Sequence, residues 1–136
     1  MKTLLSKNPL KLTFALLLSV VMLGAASCSK SDKKDEGFPR TLAIEYKVTS
    51  TSGLPKADLH FTNETGGQSS LADASLPFSK KLNVTMSERG VIALSIGIVA
   101  SGNAKLEILH DGKVVKTQTF SGNDVISGTI DYGVGL

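Results

Sequence analysis

Leu42-Ala43-Ile44-Glu45-Tyr46-Lys47-Val48-Thr49 sets large apolar residues at every second position, with small or polar residues between them. A period of two is the signature of a strand with one face buried and one wet. The same alternation returns in Ala57-Asp58-Leu59-His60-Phe61-Thr62, after a break at Gly53 and Pro55. Gly66-Gly67 then opens a polar segment to Ser75, expected as a loop and closed by Pro77. Phe78, Leu82, Val84 and Met86 fall on one face of a third strand. Lys80 shares that parity, which places it at the strand entry or on an edge.

Ser87 to Gly90 is a turn, and Val91 to Ala100 is the fourth strand. Its β-branched residues occupy both faces, as in a strand buried on both sides. The bulk is nevertheless one-sided: Ile92, Leu94, Ile96 and Ile98 face Ala93, Ser95 and Gly97. Leu106 and Ile108 mark a fifth strand. Asp111-Gly112 is a hairpin signal, because the tight turn needs positive φ that these residues tolerate. Val114–Phe120 and Val125–Tyr132 complete seven strands, and Gly133–Leu136 is expected to fray. Short strands separated by turn signals, with no helical period, predict an all-β, immunoglobulin-like antiparallel β-sandwich.

Upstream, the chain has a different character. Lys2, Lys7 and Lys11 precede an apolar run from Leu12 to Leu23, the layout of an export signal. That run is shorter than the ~20 residues a membrane-spanning helix needs. Ala25-Ala26-Ser27-Cys28 follows, with small residues leading into the only cysteine. This is the pattern of a bacterial lipoprotein, cut between Ser27 and Cys28 and lipidated on Cys28. The expected organisation is a signal peptide over 1–27, a lipid-anchored flexible tether over 28–40 and the sandwich over 41–136. The lipid on Cys28 would hold the protein in a membrane. The charged leader Ser29-Lys30-Ser31-Asp32-Lys33-Lys34-Asp35-Glu36 resembles those of Bacteroidota-type lipoproteins. The expected location is the outer membrane of a Gram-negative bacterium, on its periplasmic side or at the cell surface.

Loss of the signal removes the charge excess. The formal net charge of +3 resides in Lys2, Lys7 and Lys11, and the remainder has 12 basic residues facing 12 acidic ones. A nucleic-acid binder needs a basic footprint that this balance does not provide. Two histidines, His60 and His110, are too few for a zinc site of the usual kind once Cys28 carries lipid. By parity His60 faces solvent, and His110 ends a strand. No Gly-x-Ser-x-Gly elbow occurs, Gly66-Gly67 is not a phosphate loop, and the Asn/Asp-Gly pairs do not form an EF-hand. The sequence therefore predicts no catalytic residues, metal or cofactor.

Taken in order, Ile44–Thr49, Ala57–Glu64 with Gly66-Gly67, Leu76-Pro77-Phe78 and Asp111–Lys116 resemble the MmpS family of mycobacteria and its relatives. The likeness covers most of residues 42–121. It implies an immunoglobulin-like sandwich on the outer side of a membrane, accessory to RND-type exporters of lipids and siderophores. Phe78 stands where that family often has Trp, and Leu106 about where some members carry a cysteine.

The expected function is non-enzymatic: protein–protein interaction within an envelope complex, with an RND-type transporter as a candidate partner. Ala93, Ser95 and Gly97 form the candidate interface, because their small side chains let another chain approach closely. Cover by the segment Gly66–Ser75 is the alternative fate of that face. A different functional class, a surface binding module for glycan or host protein, is suggested by the Ser/Thr-rich loops. It is opposed by the absence of Trp and the presence of only two Tyr.

Overall fold

The computed structural model of the protein describes residues Gly37–Leu136, so the signal segment, Ser27, Cys28 and the tether up to Glu36 lie outside the described residues. Eight strands follow one another: β1 (Arg40–Thr49), β2 (Lys56–Thr62), β3 (Gln68–Ser75), β4 (Phe78–Met86), β5 (Gly90–Ile98), β6 (Gly102–His110), β7 (Lys113–Gly122) and β8 (Ile126–Val134). They form two antiparallel four-stranded sheets, ordered β4-β1-β6-β7 and β3-β2-β5-β8. The antiparallel β-sandwich is thus the fold, with eight strands, inside the range of immunoglobulin-like sandwiches.

The alternation in β1 does what its period requires. Leu42, Ile44, Tyr46 and Val48 are buried, and Ala43, Glu45 and Lys47 lie on the outer face. They meet Leu59 and Phe61 from β2, Ile92 and Leu94 from β5, Leu106 and Ile108 from β6, and Ile126 and Ile130 from β8 in a single core. Each such aliphatic side chain contributes ~1.5–3 kcal/mol on full burial. Phe38 packs against the same cluster from ahead of β1.

Three expectations change. Gln68–Ser75 is the edge strand β3, not a loop. Most of its residues are exposed, so it has no apolar alternation to read; backbone pairing with β2 makes it a strand. The end of the chain does not fray at Gly133: β8 continues to Val134, whose side chain is 3% exposed and belongs to the core. The fourth expected strand, now β5, is buried on one face only. Val91 is 48% exposed and Ala93, Ser95 and Gly97 are partly exposed.

Other details agree with the sequence. Asp111 and Gly112 have φ of +50° and +77°, the conformation of a two-residue hairpin turn. Lys80 points inward on the edge strand β4, with its ammonium 5.4 Å from the Phe61 ring centre. Gly128 on β8 is an inward position beside Ile96, and the Phe120 ring occupies the space its side chain would take. The β2–β3 turn is shaped by Asn63, whose side-chain oxygen accepts from the Thr65 N–H at 3.1 Å and hydroxyl at 2.9 Å. Thr85 N–H donates to the Glu64 carbonyl at 2.8 Å and fastens this turn to β4.

Candidate functional site

The one-sided bulk of β5 builds the site. Ile92, Leu94 and Ile96 fill the core, which turns Ala93, Ser95 and Gly97 to the outer face of their sheet. Pairing then fixes their neighbours. Gly97 lies beside Asp58 of β2 and Ser127 of β8, Ser95 beside His60 and Thr129, and Ala93 beside Asp131. The segment expected as a possible cover is β3, two strands away in the same plane, so it does not lie over them.

One row crosses all four strands. Ser70 Oγ lies 2.6 Å from His60 Nδ1, and Ser95 Oγ 2.8 Å from Thr129 Oγ1. These bonds hold the polar side chains flat against the sheet. Farther along, Asp58 Oδ1 accepts from the Asp73 N–H at 2.9 Å, and Lys56 pairs with the Asp73 carboxylate. That pairing raises the Lys56 pKa, through the hydrogen bond first and the charge second.

Beyond Gly97 the strip opens into a hollow of about 380 Å³, lined by Leu54, Pro55, Asp58, Gly97, Ile98 and Val99, among others. A side chain built on Gly97 would meet nothing within 4 Å. Val99 at the rim is 86% exposed. The face therefore combines a flat polar strip with an apolar recess, able to seat a projecting side chain from an opposing surface. The β1–β2 loop that brings Leu54 and Pro55 to the recess is fastened by a neighbouring cluster of polar groups. Asn103 Oδ1 accepts from Thr51 N–H at 3.1 Å and its hydroxyl at 3.0 Å, and Asn103 N–H donates to Ser52 Oγ at 2.9 Å. This holds the β1–β2 loop against the β5–β6 turn.

The two histidines are not brought together. His60 is exposed on the outer face just described, while His110 ends β6 in the other sheet. His110 Nδ1 is 3.3 Å from the Tyr132 hydroxyl and Nε2 3.4 Å from Asp111 Oδ2. Among the described residues, no three His, Cys, Asp or Glu side chains assemble as metal ligands would.

Sequence reading missed a second hollow, of about 400 Å³, on the outer face of the other sheet. Ala43, Glu45, Lys81, Asn83 and the Asp111-Gly112 turn surround it. Its signal was Ala43, a small residue at an outer position between Thr41 and Glu45. Glu45 is held firmly: Ser79 Oγ donates to Oε1 at 2.9 Å, and Lys47 and Lys81 lie at 3.5 and 4.0 Å. Partial burial works to raise its pKa, but the Ser79 hydroxyl and the two lysines outweigh it and the net shift is downward.

No protein-family model matches the chain, and no curated protein is significantly similar to it.

Proposed function

We propose that this protein is a non-enzymatic lipoprotein of the cell envelope that works by docking the outer face of β5 onto another envelope protein. The observation that carries the reading is the continuity of the small strip Ala93-Ser95-Gly97 with the apolar recess at Leu54, Ile98 and Val99. A flat strip admits close approach, and a recess beside it gives an anchor side chain somewhere to lose water. In this reading Cys28 carries the lipid, the outer membrane is the site of residence, and the MmpS-like motifs support a role as accessory to an RND-type transporter.

A glycan-binding role has one observation in its favour, the row of hydroxyl and imidazole groups from Ser70 to Thr129. Sugar rings are commonly held on aromatic faces, and the two tyrosines do not supply one here. Tyr46 is fully buried, and Tyr132 packs on His110 with ring centres 5.8 Å apart. Protein docking is the better fit.

The test is affinity capture of the tagged protein from gently solubilised membranes. A specific envelope protein should be recovered with the wild type and lost with Gly97→Arg, which fills the mouth of the recess. Recovery of the lipoprotein alone would count against the proposal.

A further inference from the structure

Four strands lie at sheet edges, and three are unsuited to pairing with another chain. On β4 the Thr85 N–H is taken by Glu64, and Lys80 points inward. On β3, Asp73 has φ of +52° and the ladder to β2 shifts register between Ala57 and Leu59. On β8 Gly128 and Gly133 interrupt the side-chain surface. Such features blunt an edge against pairing.

β7 lacks them beyond its first turn. It runs ten residues, Lys113–Gly122, and among the described residues pairs only with β6. Its one register shift faces Ile108/Leu109, so Lys116–Ser121 is regular. Lys116, Thr117, Gln118, Thr119 and Ser121 are all exposed. Threonine is favoured in strands, and Lys116 is the one charge in this run.

The run is also complementary to itself. Antiparallel pairing of two copies about Gln118 sets Gln118 against Gln118 of the second copy. Each Thr117 then faces a Thr119, and each Lys116 faces the uncharged Phe120. Lys113 falls opposite Asn123, beside Asp124. No like charges meet. A two-fold centred on Lys116 would oppose two ammonium groups, so the lysines select against that register.

We infer that two copies of this protein associate through β7, in a two-fold antiparallel pairing centred on Gln118 that joins their β4-β1-β6-β7 sheets into one. The interface is isologous and closed, so it yields a dimer and not a filament. It uses the sheet opposite the docking face, so both surfaces can be occupied at once.

Sedimentation equilibrium on the detergent-purified full chain tests this directly. The wild type should show twice the chain mass, and Gln118→Lys, which places two ammonium groups together on an exposed site, should show one. Far-UV circular dichroism of the variant should match the wild type, establishing that the fold is intact. Under mild oxidation Gln118→Cys should form a bridged dimer, and Lys113→Cys should not; the wild-type chain reports any bridge through Cys28. A wild type of single-chain mass, a dimer that Gln118→Lys leaves intact, or bridging no faster at 118 than at 113 would overturn the inference.

Discussion

The Tyr46 hydroxyl on β1 donates to the Thr62 carbonyl at the end of β2, 2.8 Å away, and so ties one sheet to the other through the core. The same threonine uses its side-chain oxygen to accept from the Ala93 N–H at 2.9 Å. Thr62 therefore links β1, β2 and β5, the strand that carries the proposed docking face. The Tyr46 ring stands 5.4 Å from Phe61, which is 6.5 Å from Phe78. Burial pushes the Tyr46 phenol well above its ordinary range, so it remains a donor at all physiological pH.

Tyr46→Phe keeps the ring and removes the donor, leaving the Thr62 carbonyl unsatisfied in the core. A buried group stranded in this way costs ~1–3 kcal/mol. Urea unfolding should show a lower midpoint with an unchanged slope, as expected when stability changes without a change in exposed surface.

Glu45 gives the fold a pH dependence of known sign. Its folded-state pKa lies below its unfolded value, so its contribution is complete above the ordinary glutamate pKa of 4.5 and is lost as pH falls through the lowered value. The stability difference between wild type and Glu45→Gln should be constant near neutrality and shrink on acidification. Melting temperatures of both proteins across the acidic range measure it. A difference that grows toward low pH would contradict the assignment.

Much of this architecture was legible because burial leaves a period in the sequence. Leu42 to Val48 and Ile92 to Ile96 show it plainly, and the structure buries those residues. Asp111-Gly112 was legible because few residues accept its backbone angles. β3 was not, since a strand exposed on both faces leaves no period; Gln68–Ser75 is held by pairing that no local pattern encodes. The proposed docking face was half legible. The parity of Ala93, Ser95 and Gly97 gave the strip, but the recess depends on Leu54 and Pro55, brought to Ile98 and Val99 from a distant part of the chain. The hydrogen bonds of Asn103 that hold this loop are likewise long-range.

Cys28→Ser tests the anchor. Lipid transfer to cysteine requires its thiolate as nucleophile, and serine offers none of comparable reactivity. The variant should accumulate as precursor or leave the membrane fraction, while the wild type partitions into detergent and does not react with thiol reagents. A wild type with a free thiol that salt washes from membranes would remove the lipoprotein assignment and the proposed location with it.

The central claim is that the outer face of β5 is an interface in the living cell. A photo-crosslinking residue in place of Ser95 addresses it at the centre of the strip, with Lys105 on the outer face of the other sheet as the control position. Irradiation of intact cells should join the Ser95-substituted protein to one envelope protein of defined size, and the Lys105-substituted protein to none. Equal labelling from both positions, or no adduct from Ser95, would contradict the claim.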